Sequence, residues 1–199
     1  MQTITLLSRA QLEAGLDIIR QTPKDAGTLT LIVRRPAVDV RETLDEGWLD
    51  PVSGLAGDSW SSRSSSRTHG GTAHPGMQLT IMNTRAIALI APDVTRWPLA
   101  GDQLFIEIDL SAANLPPGSR LAIGEAVIEV TLEPHTGCGK FVKRFGLDAM
   151  KFVNSPVGRA LNVRGVNARV LQAGRIRRGD LAQRITPGMG DESRHAPPR

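Results

Sequence analysis

The sequence predicts a mainly β domain, a barrel or sandwich with helices at its edge. Three observations lead there. Short apolar runs, many of them β-branched, recur from residue 78 onward. Gly and Pro punctuate the gaps, at Pro92, Pro98, Gly101, Pro116-Pro117-Gly118, Gly124 and Gly174. A chain of 199 residues, 40% of them apolar, suffices to bury one core.

The elements follow in order. Ser8 is a plausible N-cap, and Leu12, Leu16 and Ile19 share one face, so residues 1–27 are expected to hold a single helix closed by Pro23 and packed outside the barrel. Thr28–Val33 is a β-branched run closed by Pro36. Residues 37–60 form a long connection with a short strand at Val38-Asp39-Val40. Residues 61–76 are rich in Ser, Arg and Gly and are expected to be a mobile loop; this segment carries His69 and His74. Two histidines without a matching Cys or second His pair argue against a structural zinc site. Strands are expected at Gln78–Asn83, Ala86–Ile90, Gln103–Asp109, Arg120–Ile123, Ala126–Leu132 and Ala168–Ala173. A helix is expected at about 139–152 and a shorter one at 155–161. The main domain thus covers 28–187, and 188–199 is expected to be a disordered tail. The pairs Gly101-Asp102 and Gly179-Asp180 read as structural corners, since Gly admits φ > 0 and Asp bonds nearby backbone N–H groups.

Composition narrows the function. A single cysteine excludes an intramolecular disulfide. Without an apolar run of about 20 residues or a leader-like N-terminus, a soluble cytoplasmic protein with no membrane partner is expected. Charge is uneven. Residues 1–137 hold 11 Lys/Arg and 16 Asp/Glu, whereas 138–199 hold 13 and 4. The positive part begins at the cysteine and suggests an anionic partner. Aromatic residues are only 4%, tyrosine is absent and no nucleic-acid motif occurs, which disfavours nucleic acid.

Cys138 sits in Glu133-Pro134-His135-Thr136-Gly137-Cys138-Gly139-Lys140-Phe141. Glycines flank the sulfur, His135 precedes it, and Lys140, Lys143 and Arg144 follow. Positive charge favours thiolate, the form that attacks electrophiles and binds soft metals. The bland alternative is a small buried hydrophobe, for which a polar, basic Gly-Cys-Gly loop is a poor setting.

Ordered motifs then resemble one family, the MOSC domain, named after the C-terminal domain of molybdenum cofactor sulfurase. They are Gly54-Leu55-Ala56-Gly57-Asp58, His69-Gly70-Gly71, Gln78-Leu79-Thr80-Ile81, Ala113-Asn114-Leu115, the run Leu121–Val130 leading to Cys138, and the segment Arg164–Asp180. Two positions depart from the family pattern: Gly137 stands where proline is usual, and Ala113 where glutamate is.

The resemblance implies a mixed, mostly antiparallel β-barrel of the MOSC, pyruvate-kinase-barrel-like kind with peripheral helices. It implies that Cys138, with His135 beside it, carries sulfur as a persulfide or ligates the molybdenum of a molybdenum cofactor (molybdopterin). Asp58, His69, Asn114, Lys140, Lys143, Arg144 and Arg164 become the expected cofactor-binding residues. Pyridoxal phosphate is expected on a partner cysteine desulfurase, with a molybdoenzyme as the other sulfur-exchange partner. Two alternatives stand beside this reading. One is a molybdenum-dependent reductase of N-hydroxylated compounds, served by an electron-donor reductase. The other is a non-catalytic binding module with a basic face.

Overall fold

The structure, a computed structural model, describes residues 6–63 and 68–185. In chain order the elements are α1 (Arg9–Ala14), α2 (Leu16–Arg20), β1 (Ala26–Arg34), β2 (Glu42–Leu44), β3 (Glu46–Asp50), β4 (Gly54–Leu55), β5 (Leu79–Asn83), α3 (Thr84–Ile90), β6 (Leu104–Ile106), β7 (Arg120–Ile123), β8 (Ala126–Val130), α4 (Gly139–Val153), α5 (Pro156–Ala160), β9 (Val166–Gln172), β10 (Gly174–Arg177) and β11 (Leu181–Ile185). Short 3-10 turns lie at Ser59–Ser62, His69–Gly71, Pro75–Met77 and Val94–Ala100.

Seven strands close a barrel in the order β1-β11-β7-β8-β9-β5-β6 and back to β1. Every pairing is antiparallel except β5 with β6. Closure depends on β1, which uses Ala26–Thr28 against β11 and Leu29–Ile32 against β6, then Ile32–Arg34 against β2. A small second sheet, β10-β3-β4, lies beside the barrel. No helix among the described residues is long and apolar enough to cross a membrane.

Two cores result from strand alternation. Leu79 and Ile81 on β5 and Leu104 and Ile106 on β6 belong to the barrel core. Met82 and Phe105, of opposite parity, join the helices' core with Leu12, Ile87, Phe141, Phe145 and Phe152. On β1 the parity changes: Leu29 and Ile32 are in the barrel core, Leu31 and Val33 in the outer one. The irregular pairing between Leu29 and Leu31 accounts for this, because one extra residue flips the faces that follow.

Several sequence expectations need correction. The N-terminal helix is two helices broken at Gly15; Ser8 does cap the first, in a reciprocal capping box with Gln11. Ala86–Ile90 is helical, because the Asn83 side chain accepts from the N–H groups of Arg85 and Ala86 and starts a turn where a strand was expected. Val38–Val40 forms no strand; Asp39 has φ 60°, outside extended geometry. The strand expected at Gln103–Asp109 is only Leu104–Ile106. The tail at 188–199 lies outside the described residues.

Candidate functional site: a cationic cleft at Cys138

The site is built at the end of β1. Arg35 follows that strand and is held by buried Asp58. Asp58 Oδ2 accepts from Arg35 N and Nε, both at 2.9 Å, while Oδ1 accepts from Arg35 Nη2 at 3.0 Å and Trp60 N at 2.9 Å. Arg35 Nη1 donates to Gly101 O at 2.7 Å. Asp58 is therefore the anchor of Arg35, and its carboxylate is fully used.

A second buried carboxylate holds another of the cleft's arginines. Asp102 is fully buried, and its Oδ2 accepts from Arg164 Nη1 at 2.7 Å. Arg164 Nη2 donates to Ala100 O at 2.9 Å, and its guanidinium lies 5.0 Å from the centre of the Phe141 ring. His135 Nε2 stands 3.1 Å from Asp102 Oδ1. The two side chains pair by charge and proximity without ideal hydrogen-bond geometry, and Arg164 Nε is buried without a hydrogen-bond partner. Burial and then the charge of Arg164 push His135 below its ordinary value, and Asp102 opposes them only in part. Burial alone would raise the Asp102 carboxyl, yet Arg164 and His135 hold it below its usual range.

His135 opens the stretch that delivers the cysteine. Two residues on, the Asn154 side chain grips one residue at both backbone ends: Gly137 N donates to Asn154 Oδ1 and Asn154 Nδ2 donates to Gly137 O, each at 3.0 Å. A proline at 137 would have no N–H for this contact. A Cβ there would also come within 2.9 Å of Val153 Cγ2. Cys138 follows as the N-cap residue of α4, in extended conformation; its side chain makes no capping bond and it is exposed.

These elements enclose a cleft of about 320 Å³. Six cationic residues line it: Arg35, Arg41, Arg63, Lys140, Arg144 and Arg164. Cys138, His135 and His74 also face it, with Trp60, Met77 and Phe141 as apolar wall. Among the described residues no Asp or Glu lines it. Arg41 is held below the ordinary guanidinium value by burial and then by Arg144, Arg35 and Arg63. Arg63 is lowered by burial and then by Arg35. Like charges are gathered here at an electrostatic cost, which an anion in the cleft would relieve.

Of the residues expected from sequence, Cys138, His135, Lys140, Arg144 and Arg164 come together at this cleft. Asp58 stands behind its wall. Lys143 does not line it: at 100° per residue it lies about 100° round the helix from Arg144, and it is exposed. Asn114 is elsewhere. Its Nδ2 donates to Lys24 O at 2.9 Å and Asp109 O at 2.8 Å. Lys24 precedes β1 whereas Arg35 follows it, so roughly 30 Å of strand separates Asn114 from the cleft. Its amide fixes a loop. His69 falls in the turn His69–Gly71, but its side chain lies outside the description. His74 Nδ1 is used within its own turn, accepting from Gly76 N at 3.1 Å, and Nε2 is 3.6 Å from Glu133 Oε1. No group of three or more metal-ligating side chains occurs among the described residues.

Sequence reasoning missed Arg35, Arg41, Arg63, His74, Trp60 and Asn154 as parts of the site, and it took Asp102 for a corner. The available signal was Arg34-Arg35-Pro36, a basic pair where a strand must end.

No family model matches the chain, and no curated protein matches it by sequence. Solved structures do. The YuaD protein from Bacillus subtilis superposes with a TM-score of 0.58 at 19% identity, over 79% of this chain and 94% of that one. YiiM from Escherichia coli gives 0.53 at 19% identity, over 80% of this chain and 70% of that one. Both are MOSC-domain proteins. The chain has the MOSC fold. The barrel with peripheral helices expected from the motifs is thus the architecture present, and at this identity the likeness concerns the fold.

Proposed function

We propose that this MOSC-fold protein serves molybdenum-cofactor chemistry, with Cys138 either carrying sulfur as a persulfide or ligating the metal. One observation carries the reading: an exposed thiol opens into a cleft lined by six cations and, among the described residues, no carboxylate.

The donor set fits the group. The pterin cofactor bears a phosphate and an anionic dithiolene, which suit Arg41, Arg63, Lys140 and Arg144. Trp60, Met77 and Phe141 offer the apolar surface a flat heterocycle needs. A thiolate is the protein ligand that suits a soft metal centre. When bound, the cofactor would supply oxygen- or sulfur-atom transfer at the metal. The chain's own residues would bind its charge, place the thiol and keep His135 neutral beside Asp102.

In the carrier role the step is an exchange. The Cys138 thiolate attacks the outer sulfur of a donor's persulfide, the donor's own sulfur leaves as thiolate, and Cys138 holds the transferred atom. A cysteine desulfurase, with its own pyridoxal phosphate, is the proposed donor, and a molybdoenzyme the acceptor.

The test combines metal and pterin analysis of purified protein with mass spectrometry of Cys138 after incubation with a desulfurase and cysteine. Cofactor lost in Cys138→Ser supports ligation, and an added sulfur on Cys138 supports carriage. A protein that neither retains molybdenum nor accepts sulfur overturns the proposal. The N-hydroxylated-substrate reductase is covered by one further assay, substrate reduction by loaded protein with an added reductase.

A further inference from the structure

The six cations of the cleft are not equivalent. Arg35 is neutralised by Asp58, Arg164 by Asp102 and Arg144 by Asp39. Arg41 and Arg63 have no carboxylate within ion-pair distance among the described residues. Arg41 Nη1 donates to Val40 O, and its Nε is buried without a partner. Among the described residues Arg63 reaches the hydroxyl of Ser59, through Nε at 3.0 Å and Nη2 at 2.8 Å. Nε of Arg164, a residue that lines the same cleft, is also buried without a hydrogen-bond partner, on a side chain that is 92% buried. Two guanidiniums without an ion-pair partner among the described residues, in the cleft that holds an exposed thiol, suit a small polyanion, and on the carrier reading its electrophilic atom is sulfur.

We infer that the cleft accepts sulfane sulfur from a free anion of the thiosulfate class, with Arg41 and Arg63 holding its oxyanion end and Cys138 taking its outer sulfur. This rests on the reading of Cys138 as a sulfur carrier and adds a donor to it. The Cys138 thiolate attacks the terminal sulfur of S–SO3²⁻. A bond forms between Sγ and that sulfur, the S–S bond of thiosulfate breaks, and sulfite leaves with its electron pair. Cys138 is left as a persulfide, so atoms and electrons balance without another reagent. Negative charge gathers on the departing sulfite, and guanidiniums already fixed at that end stabilise it more than they stabilise the reactant. Arginine's planar fork matches two oxygens of the SO3 group.

The experiment uses the full chain with sodium thiosulfate. Released sulfite is measured together with the mass of the Cys138 peptide, and cyanide is added to follow turnover as thiocyanate. Wild type is expected to release sulfite and gain one sulfur on Cys138, and Cys138→Ser to do neither. Arg41→Gln and Arg63→Gln are each expected to raise the KM for thiosulfate about tenfold or more, the loss of a charge-assisted contact. Sulfate is expected to compete on wild type, which tests the anion subsite without any substitution. Loading of wild-type Cys138 by a desulfurase with cysteine is followed in parallel as the arm that reads the carrier role alone. Loading by the desulfurase but not by thiosulfate overturns this inference and leaves the carrier reading standing. Loading by neither overturns both. Thiosulfate turnover indifferent to Arg41, Arg63 and sulfate overturns the assignment of the two arginines.

Discussion

Replacing Asn154 by alanine isolates what holds the cysteine in place. Asn154 closes α4 and makes two 3.0 Å bonds to the peptide of Gly137, one in each direction, besides a 3.3 Å contact from Nδ2 to Met150 Sδ. Both hydrogen bonds are part-buried. A net contribution of about 0.5–1.5 kcal/mol each gives about 1–3 kcal/mol for the pair. Water can reach part of the vacated space, which favours the lower half of that range. Urea unfolding of Asn154→Ala should therefore show a loss of about 1–2 kcal/mol with unchanged m.

The second readout is local. Gly137 directly precedes Cys138, so loss of the grip should change the rate at which iodoacetamide labels Cys138 in native protein, measured where unfolding is negligible. Asn154→Asp keeps the acceptor for Gly137 N and loses the donor to Gly137 O, so it should fall between wild type and alanine in labelling. A stability loss below about 0.3 kcal/mol together with unaltered labelling would refute the view that Asn154 supplies the rigidity that proline gives at this position in the family pattern. Gly137→Pro offers a check from the other side. It removes the N–H and brings a Cβ within 2.9 Å of Val153 Cγ2, so it should destabilise this chain.

Further outcomes follow from the same contacts. Asp58→Ala leaves the Arg35 guanidinium buried without its carboxylate, and chemical denaturation should show a loss of about 3–5 kcal/mol. His135 has its pKa lowered in the fold. Below the unfolded value of about 6.5 the unfolded chain therefore binds more protons, and stability should fall with pH until the folded value is passed. His135→Gln should flatten that part of the stability–pH curve; an unchanged slope would contradict the assignment. Asp102, also lowered, adds a loss at more acid pH, beginning near its ordinary value of about 3.8. Asn114→Ala should cost about 1–3 kcal/mol in unfolding by orphaning two carbonyls, yet leave phosphate binding at the cleft unchanged by calorimetry. Lys143→Ala should weaken phosphate binding less than Lys140→Ala does, because only Lys140 lines the cleft.

The barrel was legible where burial alternates along a strand and the chain is punctuated. Arg120–Ile123 and Ala126–Val130 stand out because alternate residues are buried and Gly124, at φ 55°, turns between them. Strands β2, β3 and β4 were not legible. Strands β2 and β3 are three and five residues long and mostly exposed or half-buried, and β4 is a buried pair, so they carry neither a run nor an alternation. Ala86–Ile90 was misread because β-branched content points one way and the Asn83 cap decides the other, a contest that pattern alone does not settle.

At the site, the sequence pointed to the cysteine of the cleft and to half of the cations around it, for a reason rooted in topology. Charge was judged along the chain, and the segment before Cys138 is net acidic. Three of the six cleft cations, Arg35, Arg41 and Arg63, come from that segment. Their local carboxylates are either drawn behind the wall, as Asp58 is, or turned to the rim, as Asp39 is toward Arg144. The fold thus separates charges that the sequence interleaves, placing carboxylates behind the cleft and guanidiniums before it. Asn114 shows the converse. A motif in the expected order proved to be a loop clasp at the far end of β1, because sequence order constrains where a residue enters the barrel without fixing which end it serves. For a closed barrel the informative question is therefore which residues leave the same end of the strands. Here those are the exit of β1, the entry to β6 and the loop before α4, and they place Arg35 and Cys138 at one cleft with Asp102 buried behind it, against His135 and Arg164.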